Sequence, residues 1–124
     1  RIYVNNYKTK DGTCIRDFIH VSDLADIHVK CINYLYKKKK SITLNCGYGI
    51  GYSVQEIVNI FKKIKKNWKR VSPTRSAGEG HQADTNIKKF KKTFKWKPKH
   101  NNIKKILLSS IKWEKKLKKN NVKS

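Results

Sequence analysis

The sequence predicts an α/β fold of short strands alternating with amphipathic helices, on three observations. Apolar residues recur at three- and four-residue spacing in several windows, the signature of helices with one buried face. Short β-branched runs, Cys14 to Val21 and Ile42 to Cys46, lie between those windows. Turn signals separate them: Asp11-Gly12, the stretch Gly47-Tyr48-Gly49-Ile50-Gly51, Pro73 and Pro98. At 124 residues the chain has length for one modest domain, and no internal repeat or linker divides it.

Residues 14–21 read as a strand that follows the Asp11-Gly12 turn. Ser22 or Asp23 then caps a helix with Leu24, Ala25, His28, Cys31, Ile32 and Leu35 on its apolar side, and Lys37 to Lys40 end it favourably for the helix dipole. A second strand spans residues 42–46. After the glycine turn, Ser53 and Glu56 form a capping box for a helix that buries Val54, Ile57, Phe61 and Ile64. A brief strand at residues 69–72 leads to Pro73 and the loop Thr74 to His81. Asp84 or Thr85 starts a short helix with Ile87, Phe90 and Phe94 inward, and the last helix runs from about Asn102 with Ile103, Ile106, Leu107, Ile111 and Leu117 near one face. The strands are expected to join a larger sheet.

The formal net charge is +23, which first suggests phosphate-backbone binding. Its distribution argues otherwise. Residues 1–34 carry a net +1 and residues 35–124 a net +22, mostly lysines on the polar faces of helices. Of the 31 basic residues 27 are Lys and four are Arg, beside 11 Asn and 14 Ile. These are residues of A- and T-rich codons, and arginine, the fork suited to bidentate phosphate and base contacts, is scarce. A small Lys-rich nucleic-acid-binding module stays as the rival reading. No apolar run is long enough for a membrane span, and with no Met and Arg at position 1 the sequence reads as part of a longer chain.

Cys14, Cys31 and Cys46 form no Cys-x-x-Cys pair, which argues against a zinc finger or disulfide framework and fits a reducing, cytoplasmic setting. His20 and His28, with Asp17, Asp23 and Asp26 near them, read as packed histidines rather than ligands, so no metal site is expected. Gly47, Gly49 and Gly51 follow a strand and open a helix, yet the spacing is Gly-x-Gly-x-Gly and no ribose-binding acid follows, so the dinucleotide fingerprint is incomplete. No nucleophile elbow or zinc-protease motif is present, and Tyr34 with Lys38 matches Tyr-x-x-x-Lys only by coincidence at a helix end. Arg16 stands out in a Lys-dominated chain. Its guanidinium suits a diphosphate or carboxylate, or a structural pair with Asp17 or Asp23, and spacing leaves both open.

The segment Asp11-Gly12-Thr13 through Arg16-Asp17-Phe18-Ile19-His20-Val21 to Asp23-Leu24-Ala25-Asp26 and His28-Val29 resembles the UDP-glucose 4-epimerases of the extended short-chain dehydrogenase/reductase family. The likeness continues through Leu44 to Val54 and Phe61, and resumes at Pro73 to Asp84 and Trp96-Lys97-Pro98. It implies that residues 1–124 are the C-terminal, UDP-sugar-binding portion of an extended Rossmann-type fold with late elements of the cofactor domain. The N-terminal NAD-binding region and the catalytic Ser/Thr and Tyr-x-x-x-Lys would lie upstream, leaving neither catalytic nor cofactor-binding residues here. The resemblance implies interconversion of UDP-glucose and UDP-galactose through hydride transfer to NAD, a homodimer for the full-length protein, and no nucleic-acid or membrane partner. A related nucleotide-sugar epimerase or dehydratase is the alternative.

Carried over by position, Tyr3 would lie beside the uracil, Arg16 would bind the diphosphate, and Phe18 and Val54 would line the nucleotide site. Arg75 would reach phosphate, and Glu79 would accept from the ribose hydroxyls. Two departures mark this loop. Ser76 stands where the family has its phosphate-binding arginine, and the stretch Gly80 to Ala83 is about two residues short, removing a hexose-contacting aromatic.

Overall fold

The computed structural model describes residues 7–65, 82–83 and 87–121. In chain order these form β1 (Ile15–Asp17), α1 (Val21–Lys38), β2 (Gly51–Ser53), α2 (Val54–Ile64), β3 (Gln82–Ala83), α3 (Lys88–Phe94) and α4 (Ile103–Asn121). The three strands make one sheet in the order β2-β1-β3. β1 pairs antiparallel with β2, Arg16 opposite Tyr52, and parallel with β3, Arg16 beside Ala83. Alternating helices and a mixed sheet bear out the α/β class.

Local chemistry sets most element ends. Ser53 Oγ accepts from Glu56 N–H at 3.0 Å and the Glu56 carboxylate accepts from Ser53 N–H at 2.7 Å, the capping box that starts α2. Asn102 caps α4 by accepting from Lys105 N–H at 3.1 Å. Lys39 and Lys95 end α1 and α3 in the left-handed conformation, their N–H groups donating to Leu35 and Lys91 carbonyls. Gly51 sits in β2 opposite Asp17 of β1. A Cβ there would come within 2.5 Å of Ile15 Cγ2, so only glycine permits the approach.

The core is Ile27, Tyr48, Phe90 and Trp96, surrounded by half-buried Ile19, Cys31, Leu44, Cys46, Phe94 and Ile106. Phe90 is fully buried and packs edge-on to Trp96 at 5.5 Å between ring centroids. Trp96 stacks parallel to Tyr48 at 6.3 Å, and its indole N–H donates to Asp26 at 2.9 Å. As expected, Ile87 and Phe90 face inward from the short third helix and Val54, Ile57, Phe61 and Ile64 are shielded on α2, where Val58 is buried as well.

Four expectations are corrected. The strand expected over residues 14–21 pairs only at Ile15–Asp17, because α1 begins at Val21 with His20 as its cap, Nδ1 accepting from Ser22 N–H at 3.1 Å. Residues 42–46 form no ladder with any described residue, although burial alternates along them, Ile42, Leu44 and Cys46 half-buried and Thr43 and Asn45 exposed. Gly51, read as part of the glycine turn, and Tyr52 form a strand with Ser53, which still caps α2 as expected. On α1 the packed side is Asp23, Ile27, Cys31 and Tyr34, whereas Ile32, Leu35 and His28 are exposed. The strand expected at residues 69–72 and the helix start at Asp84 or Thr85 lie outside the described residues; α3 itself begins at Lys88.

Candidate functional site

Arg16 occupies the middle of the central strand, half-buried, and donates from its guanidinium to the Ile15 carbonyl at 2.9 Å. Pairing across β1 and β2 puts Arg16 and Tyr52 on one face of the sheet, Ile15 and Ser53 on the other. The two faces differ in charge. Beside Tyr52 lies an open recess of about 450 Å³ lined with Ile60, Ile64 and Ile103 and with Lys63 and Lys104. The recess of about 520 Å³ beside Ile15 and Ser53 is lined with Asp11 and Glu56 against Lys10. The first recess thus carries two lysines and no acid, the second two acids and one lysine.

Val54 opens α2 directly after β2, half-buried, and its N–H donates to the Cys14 carbonyl at 3.1 Å, tying the start of α2 to the strand that carries Arg16. Phe18, also half-buried, follows β1 by one residue. Thus Arg16 lies in β1, Phe18 directly follows that strand, and Val54 directly follows its antiparallel neighbour β2. Tyr3, Arg75 and Glu79 lie outside the described residues.

The carboxylates proposed as structural partners of Arg16 are held by other donors. Asp17 accepts from the backbone N–H groups of Tyr48 at 3.1 Å and Gly49 at 2.7 Å. Gly49 adopts φ 72°, the left-handed geometry that aims its N–H inward. Two of the amides that a dinucleotide phosphate would need already serve a side chain, so this glycine turn does not fit a cofactor cradle. Asp23, 2% exposed, accepts from Tyr48 O–H at 2.7 Å, His100 N–H at 2.9 Å and Lys99 N–H at 3.3 Å.

Burial opposes ionisation of Asp23, but the Tyr48 hydroxyl, the two backbone N–H groups and the His100 charge outweigh it and hold the carboxyl below the ordinary 3.8. Burial and the Asp23 hydrogen bond push Tyr48 up to about 12, so its hydroxyl stays a donor. Asp11 likewise falls below 3.8: burial opposes ionisation, and hydrogen bonds from the Ser53 and Thr13 hydroxyls and Thr13 N–H together outweigh it. Burial and the nearby Cys31 push the Cys46 thiol up.

Sequence reasoning named Asp17 and Asp23 only as possible partners of Arg16, neighbours of the histidines or a helix cap, and passed over Tyr48, since the partners that make them organising residues are 25 to 77 positions away. The available signal was acidity itself: two of only eight acids flank a helix start in an apolar segment. His20 stacks on His100 at 4.4 Å, whereas His28, expected to be packed, is exposed and pairs its Nδ1 with the Leu24 carbonyl. Among the described residues no group of three or more His, Cys, Asp or Glu side chains is placed to hold one, and no helix is long and apolar enough to cross a membrane.

No family model matches the chain. Individual proteins do. A UDP-glucose 4-epimerase of Azospirillum brasilense is 39% identical over 119 residues, 94% of this chain and 34% of that protein. The crystal structure of a UDP-glucose 4-epimerase from Stenotrophomonas maltophila, with bound NAD and formylated UDP-arabinopyranose, superposes with a TM-score of 0.83 at 30% identity, over 96% of this chain and 35% of that one. The UDP-Glc/GlcNAc 4-epimerase from Campylobacter jejuni superposes at 0.76 with 38% identity, over 93% and 35% respectively. The chain spans about a third of the length of the curated relatives it matches. Sequence and fold agree over nearly all of its residues: the chain is similar to about a third of the length of the UDP-glucose 4-epimerases, with the α/β fold of the short-chain dehydrogenase/reductase type.

Proposed function

We propose that residues 1–124 form the UDP-sugar-binding part of an NAD-dependent epimerase that interconverts UDP-glucose and UDP-galactose. Arg16 holds the diphosphate, with Arg75 as the second cation, Glu79 on the ribose hydroxyls, Tyr3 beside the uracil, and Phe18 and Val54 lining the nucleotide. The observation that carries this reading is the parallel pairing of β1 with β3, Arg16 beside Ala83. Glu79 precedes β3 by three residues and Arg75 by seven, so the sheet returns the chain to Arg16 directly after the residues that would share its ligand. The Arg16 face, with Lys63 and Lys104 in the adjoining recess, suits a diphosphate; the acidic opposite face does not.

Each Arg fork on a diphosphate contributes roughly 1.5–3 kcal/mol through charge-assisted hydrogen bonds. When bound, NAD supplies the hydride acceptor for C4 of the sugar; its site and the proton shuttle belong to residues outside this chain, which by itself is inactive. This chain's part is to bind and orient the nucleotide. The Campylobacter relative, which acts on UDP-Glc and UDP-GlcNAc, and the shortened Gly80 to Ala83 stretch support a second reading, epimerisation of another UDP-sugar by the same site.

The test is UDP binding by calorimetry in a chain joined to the missing upstream part. Arg16→Ala is expected to weaken UDP at least tenfold, with Arg16→Lys intermediate. Unchanged affinity in Arg16→Ala would overturn the diphosphate assignment.

A further inference from the structure

Three residues, Phe18 to His20, join the end of β1 to the start of α1 and belong to neither element. Phe18, half-buried, comes directly after the strand that carries Arg16. Such a bridge is held by its ends, and both ends meet one residue. At the strand end the Asp17 carboxylate accepts from the N–H groups of Tyr48 at 3.1 Å and Gly49 at 2.7 Å. At the helix end the His20 N–H donates to the Tyr48 hydroxyl at 3.1 Å, and that hydroxyl donates in turn to Asp23, in the first turn of α1, at 2.7 Å.

Packing fixes the anchor itself. Tyr48 is 7% exposed, belongs to the core and stacks on Trp96. A hydroxyl accepts from one group and donates to another at once, so phenylalanine would fill the same space and hold neither His20 nor Asp23. Pushed up to about 12, the hydroxyl keeps its proton throughout the neutral range. Asp23 has the Lys99 and His100 N–H groups as further donors, so loss of the hydroxyl falls mainly on the bridge.

We infer that Tyr48 is a positioning residue for nucleotide binding: by holding Asp17 and His20 it fixes Phe18, and with it the end of the Arg16 strand, in the arrangement that the nucleotide meets. The inference rests on reading Arg16 and Phe18 as nucleotide-binding residues. A bridge ordered in advance leaves affinity intact, whereas one released from Tyr48 is ordered on binding, at the expense of affinity.

The experiment measures UDP binding by calorimetry in the chain joined to the missing upstream part, well below the melting temperature of each variant. Tyr48→Phe is expected to weaken UDP by about three- to tenfold, the cost of ordering one side chain on binding, and to add little once Phe18→Ala is present. Ile87→Ala, a buried substitution outside the core cluster of Tyr48, is expected to lower the melting temperature and leave affinity unchanged. Should Tyr48→Phe not fold, Asp17→Asn takes its place. It sets an amide NH2 against one of the two N–H groups and removes a negative charge beside Arg16. The change of charge alone would tighten a diphosphate, so weakening by Asp17→Asn reports lost positioning.

Unchanged affinity in folded Tyr48→Phe would overturn the proposal, as would an equal loss with and without Phe18, an equal loss in Ile87→Ala, or unchanged or tighter binding in Asp17→Asn. If Arg16→Ala and Phe18→Ala both left UDP binding unchanged, the nucleotide reading would fall and this inference with it. If they weakened UDP and Tyr48→Phe did not, only the positioning role of Tyr48 would fall.

Discussion

Asp23→Ala should be the most damaging polar substitution in the described part of the molecule. The carboxylate is 2% exposed and receives three hydrogen bonds, from the Tyr48 hydroxyl and the backbone N–H groups of Lys99 and His100. Truncation leaves all three donors facing a methyl group. A buried donor without a partner costs about 1–3 kcal/mol. The Lys99 bond is long at 3.3 Å and counts for less, so a total of about 3–5 kcal/mol follows, near the range for breaking a buried network.

For a chain of this size each kcal/mol moves the melting temperature by roughly 4 °C, giving a drop of roughly 12–20 °C by calorimetry or circular dichroism. Asp23→Asn separates charge from geometry. An amide oxygen in the Oδ2 position keeps the Tyr48 and His100 bonds and opposes only Lys99 N–H, so its cost should be about 1–2 kcal/mol. If Asp23→Ala melted within roughly 4 °C of the parent, about 1 kcal/mol, the three donors would not depend on Asp23 and the reasoning would fail.

Acid should unfold the chain partly through the same residue. The folded-state pKa values of Asp23 and Asp11 lie below the ordinary 3.8, so their contribution is complete well above that value and is lost as pH falls through it. Melting temperature measured below about pH 5 should therefore fall less steeply in Asp23→Asn than in the parent; equal slopes would contradict the assignment. Gly51→Ala forces a Cβ to within 2.5 Å of Ile15 Cγ2 and should cost about 1–3 kcal/mol, recovered in part by pairing it with Ile15→Val or Ile15→Ala. Phe90→Ala empties the centre of the core and should cost about 3–5 kcal/mol, read by urea denaturation.

What was legible in the sequence was what short-range chemistry decides. The α2 capping box spans four residues, and the inward face of α3 is set by the spacing of Ile87, Phe90 and Phe94. β2 was illegible because its three residues include a glycine that reads as turn, and its reason to be a strand is β1, more than thirty residues earlier. The α1 stripe was misplaced for a related reason. Apolar residues lie on both sides of the helix, and periodicity alone does not say which side this chain covers. Within the site, Arg16 was legible by its rarity, whereas the roles of Asp17 and Asp23 depended on donors delivered by Tyr48, Gly49 and the stretch Lys99 to His100.

The Asp17 carboxylate held by the Tyr48 and Gly49 amides has a consequence for ligand competition. It is a covalently tethered anion on the very amides a phosphate would seek, and tethering over a folded loop gives it an effective concentration of millimolar or more. A free phosphate ester at micromolar level does not displace it. Counting glycines in such a turn therefore overstates its capacity for ligands, because the turn is supplied with its own occupant from the strand that presents Arg16.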